Sequence, residues 1–334
     1  MTESRTLPII ALACACGLAI PALAQDSQPT PPQPTEPQHA PTNVLKPAEV
    51  PPEKPAEAPQ GPRLSFEIAP RTQYTFRADL DDSPGSVAVW RGGAAFSLSA
   101  PWGDRANFQF TADAEASSYD FNGATGLIAG TDSPISDAYR IRLIPALAYR
   151  CSERWAVLGG GLIEFAGEGG ADVGDSTTFG GYVGARYAFS EKFALTFGVQ
   201  GKSRLEDSAI FLPILGFEWH ITDKVTLSTD SPGVGLRLAA AIDEHWTFVL
   251  SGAWELREYR LEDGSPLPDG VMRDDRAPIG ASIEWRPNPH ITVALSGGAV
   301  VWQRYRFDDQ NGDRVSEDNT DPAPFIGISA RFDF

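Results

Sequence analysis

Residues 324–334 are the most constraining stretch of the sequence. They read PFIGISARFDF, and apolar side chains occupy every second position from Ile326 to Phe334. A β-strand sends successive side chains to opposite faces, so this alternation predicts a strand with one apolar face. Its partners must come from the rest of the chain.

The same alternation recurs after residue 63. Alternating segments begin near residues 64, 86, 106, 138, 155, 177, 193, 210, 224, 234, 246, 276, 290 and 324. Most are about 10 to 15 residues long, against roughly 5 to 6 for a strand of a soluble protein. We expect fourteen strands, with twelve as the alternative. At residues 91–93 the alternation changes phase, because Val87 and Val89 are out of step with Phe96 and Leu98. This shift predicts a β-bulge.

The connections fall into two alternating classes. Short polar turns lie at 101–105, 151–155, 190–193, 222–225, 243–246 and 286–290. Longer or more acidic loops lie at 81–85, 120–137, 167–175, 205–208, 230–233, 261–275 and 308–321. Short turns at one rim and longer loops at the other are typical of a transmembrane β-barrel.

These strands, turns and the aromatic end at Phe334 resemble those of bacterial outer-membrane β-barrel proteins of the porin-like kind. The resemblance covers residues 63–334 and matches no single transporter signature, so it assigns no functional residue. It implies an all-β fold, a transmembrane antiparallel up-and-down β-barrel. It also implies insertion into outer-membrane lipid by the barrel-assembly machinery through the Phe334 strand. Trp155, Trp219, Trp246 and Trp285 lie beside short turns, where an interfacial aromatic girdle is expected.

The front of the chain is not expected to join this fold. Residues 9–20 are apolar and precede Ala22-Leu23-Ala24, so residues 1–24 read as a signal peptide. Residues 25–62 hold 12 of the 28 prolines and predict a disordered periplasmic linker. Contact with peptidoglycan is a sharper alternative for this linker. No later stretch is long and apolar enough for a transmembrane helix.

Acidic residues are concentrated in the longer loops, which contain 22 acidic and two basic residues. An acidic extracellular rim would concentrate cations and repel nucleic acid. Solubility of exposed loops is an equally simple explanation.

The alternation also places charges of both signs on the inward face. These lumen candidates are Glu67, Arg71, Arg77, Arg140, Arg142, Arg186, Arg237, Glu255, Glu284 and Arg331, and the alternation also places Asp113 and Glu115 inward. An apolar core could not bury such a set, but a wet lumen accepts it. Either the lumen conducts, or paired arginines and carboxylates close it.

The last loop contains a weak calcium candidate. Asp309, Asn311 and Asp313 have the spacing that begins an EF-hand loop, but the expected glycine after Asp313 is missing. We expect no other cofactor and no catalytic residue. His220, His245 and His290 all lie at or beside short turns, which does not suggest a hydrolase acting at the opposite rim.

The sequence therefore predicts a barrel of the bacterial outer membrane, a porin-like passive channel for small solutes with an acidic extracellular rim. The alternative is a non-conducting barrel with a structural or surface-interaction role in the envelope. An enzyme is the least favoured of the three functions.

Overall fold

The computed structural model describes residues 64–229 and 234–334. The predicted signal peptide and Pro-rich linker lie outside the described residues. In the part of the chain that is described, no helix is long and apolar enough to cross a membrane. The described residues form β1 (Ser65–Asp79), β2 (Ser86–Trp102), β3 (Ala106–Asn122), β4 (Asp137–Arg150), β5 (Trp155–Glu168), β6 (Thr177–Ser190), β7 (Phe193–Arg204), β8 (Asp207–His220), β9 (Val225–Thr229), β10 (Val234–Ala241), β11 (Trp246–Arg260), β12 (Val271–Asn288), β13 (Ile291–Asp308), β14 (Arg314–Thr320) and β15 (Ala323–Asp333).

These strands form one closed antiparallel barrel. Each strand from β1 to β13 pairs with the next, and β15 closes the sheet between β13 and β1. The wall has fourteen strands because β14 and β15 are halves of one. Both pair with β13 in a single register, with Gln303 opposite Thr320 and Val300 opposite Ala323. Pro322 has no amide hydrogen and interrupts the strand between them. The fourteen-strand prediction is confirmed, and the twelve-strand alternative is wrong.

Two predicted loops are shorter than expected. Residues 314–320 were predicted to be loop, but they form β14 against the upper part of β13. Likewise, β12 begins at Val271 rather than near residue 276. In both places most side chains on the two faces of the strand are polar. The sequence therefore lacks the alternating apolar face by which the other strands were predicted.

The predicted bulge at residues 91–93 is also wrong. β2 pairs with β3 in one register along its whole length. Val87 and Val89 do point inward, because the barrel interior at this level is itself apolar. The irregularity lies in β1 instead, between Thr75 and Ala78.

The outward face of the wall is apolar. Large exposed side chains on successive strands include Ile68, Trp90, Ile141, Ile163, Phe179, Phe197, Phe211, Leu236, Leu250, Ile279, Leu295 and Ile328. The aromatic side chains predicted to form a girdle lie exposed at the short-turn rim. Trp155 packs on Tyr187 at 4.7 Å between ring centroids, and Trp246 stacks on Trp285 at 6.2 Å. All four predicted tryptophans are exposed.

The barrel is pinched at the long-loop end. β5 and β11 are six places apart in the sheet order, yet Arg260 pairs with Gly167 across the interior. This contact divides the long-loop end of the interior into two spaces. One lies between β1–β5 and β11–β14, and the other lies beside β6–β10. We call the half of the barrel next to the long loops the long-loop half, and the other the short-turn half.

Candidate functional site: the barrel interior

The long-loop half is filled by an apolar cluster, which we call the outer plug. Its buried members are Leu80, Val87, Val89, Tyr119, Phe121, Ala124, Leu127, Ile128, Ile135, Ala138, Ala166, Tyr259, Leu261, Met272, Tyr305 and Phe307. Several come from residues 123–136, so this loop folds into the barrel rather than away from it. Ser316 in β14 donates a hydrogen bond to the carbonyl oxygen of Leu127 and helps to hold the loop there.

Beneath the outer plug lies a belt of paired charges, which we call the arginine layer. Its members are Arg71, Arg91, Arg140, Arg142, Arg257 and Arg276 with Asp113, Glu115, Glu255 and Asp274. Except for Arg71, whose side chain is about one-third exposed, its arginines are buried. The layer spans the barrel, because β1–β4 and β11–β12 both contribute.

Two carboxylates on β3 anchor one side of the layer. Asp113 accepts hydrogen bonds from Arg71 at 2.7 Å and from Arg142 at 3.0 Å. Glu115 accepts from Arg140 at 3.0 Å and from Arg257 at 2.8 Å. Arg257 lies on β11, so its bond to Glu115 ties opposite walls together. Such pairing is what permits charges to be buried.

Asp274 links the layer to the outer plug. Its carboxylate pairs with Arg91, accepts a hydrogen bond from the Tyr119 hydroxyl at 2.9 Å and one from Gln303 at 2.7 Å. Asp274 is 0% exposed. The buried Asp274 carboxylate therefore binds both an arginine of the arginine layer and a tyrosine of the outer plug.

Below the arginine layer the interior is open. A cavity of about 330 Å³ is lined by arginines and carboxylates of the layer, including Arg91, Arg276 and Glu255, and by small residues such as Ser251, Ser296 and Ser329. Ser251 and Ser329 face inward and are nevertheless exposed. Solvent therefore reaches the lumen in the short-turn half.

A second cavity, of about 800 Å³, lies at the short-turn rim. Its charged lining consists of Arg105, Arg150, Arg154, Arg186 and Lys192 with Glu153, Glu191 and Glu218. Arg186 pairs with Glu218 at 2.7 Å. This cavity is thus charged, with more cationic than anionic side chains in its lining.

The predicted lumen residues fall into three groups. Arg71, Arg140, Arg142 and Glu255 lie in the arginine layer. The second group lies in the short-turn half and consists of Glu67, Arg186, Arg237, Glu284 and Arg331. Within this group, Arg237 pairs with Glu284 at 2.8 Å.

Arg77 belongs to neither group. It follows the bulge in β1, where Ala78 and Leu80 occupy the buried face. Its guanidinium pairs with the exposed Asp120 and lies 3.2 Å from the Ser86 hydroxyl. The bulge changes which side chains face inward, and alternation read across it misplaces Arg77.

Four central residues were missing from the predicted set: Arg91, Arg257, Asp274 and Arg276. Arg91 was hidden by the supposed phase change, and Asp274 by the supposed loop. Arg257 could have been found, since it shares the inward face of β11 with Glu255.

The calcium candidate is engaged in local hydrogen bonds. The Asp309 carboxylate accepts from the backbone amides of Asn311 at 2.8 Å and Asp313 at 3.0 Å. These bonds hold the pKa of Asp309 below its usual value. Among the described residues, no group of three or more His, Cys, Asp and Glu side chains is placed to hold a metal ion.

The three histidines hold turns and strand ends at the short-turn rim. The Nδ1 atoms of His245 and His290 lie 2.9 and 3.0 Å from the carbonyl oxygens of Arg286 and Asp333. His220 lies between Glu218, at 3.1 Å, and the Thr226 hydroxyl, at 3.0 Å.

Part of the acidity counted in the long loops is internal. Asp274, Asp275, Asp308 and Asp318 are buried. Asp275 pairs with Arg304 at 2.7 Å, and Asp308 with Arg306 at 2.6 Å. These carboxylates add little to the field at the exposed rim, because their charges are compensated nearby.

A family model described as a domain of unknown function, DUF6268, matches residues 171–332. No curated protein matches the sequence. Among solved structures, the chain is similar to a Pseudomonas aeruginosa FadL homologue, with 12% identity, a TM-score of 0.43 and coverage of 81% of this chain and 90% of that one. The corresponding values for the P. putida toluene transporter TodX are 9%, 0.44, 83% and 90%. For an outer membrane channel from Pseudomonas putida F1 they are 10%, 0.43, 84% and 100%.

Proposed function

We propose that the protein is a porin-like passive channel for small solutes in a bacterial outer membrane, here with its long-loop half closed. The exposed apolar wall and the aromatic girdle support a membrane location, since a soluble protein would not expose so much apolar surface. The short-turn rim then faces the periplasm and the long loops face outward.

The observation that carries the channel function is the open, charged lumen of the short-turn half. Its cavities of about 800 and 330 Å³ end beneath a closure made largely of side chains and of one loop, residues 123–136. A loop can move on the timescale of microseconds or faster, whereas a hydrogen-bonded wall does not open. Movement of this loop would lengthen the pathway toward the outer rim.

The test is single-channel conductance of the refolded full-length chain in a planar bilayer, with a salt gradient for ion selectivity. We expect small, infrequent steps. In a variant whose residues 124–135 are replaced by a short Gly-Ser linker, we expect larger and more frequent steps, because the inward-folded part of the outer plug is gone. Cation preference would support the proposed acidic rim.

A matched control shortens residues 169–175, which form another long loop but are mostly exposed. This change should leave the steps unaltered. If the native chain and the plug-loop variant are both folded and heat-modifiable but give no steps, the channel proposal is wrong.

The second candidate is a non-conducting barrel with a structural role in the envelope. The observation that favours it is the arginine layer, whose charges are paired across a filled cross-section. The same experiment separates the two functions, since a structural barrel stays silent even after its plug loop is removed.

The remaining expectations are part of this proposal. The chain acts without catalytic residues, and β15 is the segment that the assembly machinery recognises. Contact of the linker with peptidoglycan and weak calcium binding by the last loop stay predictions.

A further inference from the structure

Positive charge is in excess in the arginine layer. Six arginines face four carboxylates: Asp113, Glu115, Glu255 and Asp274. The nearby Glu164 does not correct the difference, because it pairs with Lys202 at 2.7 Å. Arg91, Arg257 and Arg276 all contribute to the wall of one cavity, so their like charges repel one another. An excess of buried positive charge is costly unless an anion compensates it.

Two of these arginines have unused donors. Within the described residues, the Nε and Nη1 atoms of Arg91 and the Nη1 atom of Arg276 have no hydrogen-bond partner. The two residues are only 4% and 2% exposed. Leaving a buried charged donor unsatisfied costs on the order of 1–3 kcal/mol or more. Both side chains form part of the wall of the 330 Å³ cavity.

The cavity has the size and access for a small ligand. At roughly 30 Å³ for each water molecule, it holds about ten waters. Four arginines, Arg71, Arg91, Arg257 and Arg276, and two carboxylates, Glu115 and Glu255, contribute to its lining, so positive charge is in excess there. The lining also includes four serines, Ser251, Ser282, Ser296 and Ser329. Two of these, Ser251 and Ser329, are exposed toward the short-turn half. A small solute can therefore enter the cavity from the short-turn half without movement of the outer plug.

We propose that this cavity is a binding site for a small oxyanion, foremost a carboxylate-bearing solute, held by Arg91 and Arg276. A planar carboxylate matches the two-pronged donor geometry of a guanidinium. The serine hydroxyls would bind the polar remainder of the solute. The inference names a solute class for the proposed channel, but binding does not require that the barrel conducts.

Isothermal titration of the refolded full-length chain in detergent micelles tests the site. The probes are sodium acetate and inorganic phosphate, with choline chloride as the cationic control, all at constant ionic strength. We expect saturable binding of an oxyanion and none of choline. Tighter acetate binding would identify the carboxylate as the preferred group, and tighter phosphate binding would identify a tetrahedral oxyanion.

Three variants locate the binding. Arg276→Gln should weaken it at least tenfold, and Glu255 keeps a partner in Arg257. Ser251→Phe should weaken it equally by filling the cavity while leaving every arginine in place. Arg237→Gln removes a lumen arginine outside the cavity and should change the affinity less than twofold. No saturable binding by the native chain, or undiminished binding by folded Ser251→Phe, would overturn the proposal whatever the conductance shows.

Discussion

The two halves of the barrel interior differ more than the two halves of its wall. Around both halves, apolar side chains face outward on antiparallel strands. Inside, the long-loop half is packed like the core of a soluble protein, with Tyr259, Tyr305 and Phe307 fully buried. The short-turn half is open to solvent and is lined by small residues and by part-exposed charges such as Arg186, Arg237 and Glu284. One wall therefore encloses both a core and a lumen.

A single strand shows how this happens. The inward positions of β11 hold Ser251 and Ala253 in its lower part, but Glu255, Arg257 and Tyr259 in its upper part. All five fit the same alternation, so period 2 does not distinguish them. The size of the inward side chain decides whether the space is filled, and charge pairing decides whether filling is tolerated.

The largest effect should come from breaking the buried ionic centre. Asp274→Ala leaves Arg91 buried without its partner and removes the acceptor of Tyr119 and Gln303. We expect a loss of about 3–5 kcal/mol in the free energy of unfolding. The measurement is urea unfolding of the refolded barrel in micelles, followed by tryptophan fluorescence.

Glu284→Ala is the matched change in the short-turn half, where its partner Arg237 is about one-third exposed. Its cost should be below about 1 kcal/mol, because water compensates both charges. Equal losses in the two variants would show that the halves do not differ in the way described.

Packing of the outer plug gives the next largest effect. Leu127→Ala removes a fully buried side chain that the loop supplies to the plug. We expect a loss of about 2–4 kcal/mol and more frequent conductance steps. Val173→Ala changes an exposed apolar residue of another long loop and should be nearly neutral. If Leu127→Ala is also neutral in both readouts, residues 123–136 do not close the barrel.

A smaller contrast lies in two turn glycines with positive φ. At Gly85, at the long-loop rim, φ is 111° and a Cβ atom would lie 2.6 Å from the backbone of Ala124. At Gly103, at the short-turn rim, φ is 65° and no atom lies within 4 Å of that position.

Gly103→Ala should therefore cost about 1 kcal/mol of backbone strain, and Gly85→Ala about 2–3 kcal/mol, since overpacking is added. Urea unfolding of both variants checks the order. The reverse order would mean that the plug loop is not packed against the turn.

The sequence predicts the wall well because lipid contact imposes an apolar face on every strand that crosses it. Twelve of the fourteen predicted strands begin within three residues of the observed wall strands. The exceptions are β12 and the last wall strand, which begins with β14 at Arg314. Nearer the long-loop rim, beyond the apolar part of the wall, the strands no longer have this apolar outward face. β14 alternates between polar residues such as Ser316 and Glu317, so only pairing with β13 reveals it as a strand.

The interior is predicted less completely, for a different reason. Inward charge is visible in the pattern, and Arg140, Arg142 and Glu255 were found by it. The pattern does not show which charges pair with each other, because partners such as Arg257 and Glu115 are 142 positions apart in the sequence. The inward apolar residues Val87 and Val89 led to the prediction of a β-bulge, because nothing in the local sequence indicates that a loop folds into the barrel and covers them.

The smallest contrast concerns two exposed carboxylates, one at each rim. Asp81, at the long-loop rim, has its pKa raised by loss of hydration and by the nearby Asp321, Asp318 and Asp82. Asp243, at the short-turn rim, has its pKa lowered by the backbone amides of His245 and Trp246.

These two shifts have opposite consequences for stability. A raised pKa in the folded state means that ionised Asp81 opposes folding above its ordinary value of 3.8. A lowered pKa means that ionised Asp243 favours folding above the same value, and that this contribution is lost as the pH falls through the folded pKa. At neutral pH, Asp81→Asn should slightly raise the temperature of the heat-modifiability transition, and Asp243→Asn should slightly lower it.

The Asp81 difference should disappear as the pH falls below 3.8, and the Asp243 difference only as the pH falls through the lowered folded-state pKa of Asp243, because each native carboxyl is then neutral. Asparagine keeps a neutral oxygen acceptor, so the comparison isolates charge from hydrogen bonding. Shifts of the same sign in both variants would contradict it. Opposite signs would show that crowded carboxylates oppose folding at the long-loop rim, while backbone amides stabilise them at the short-turn rim.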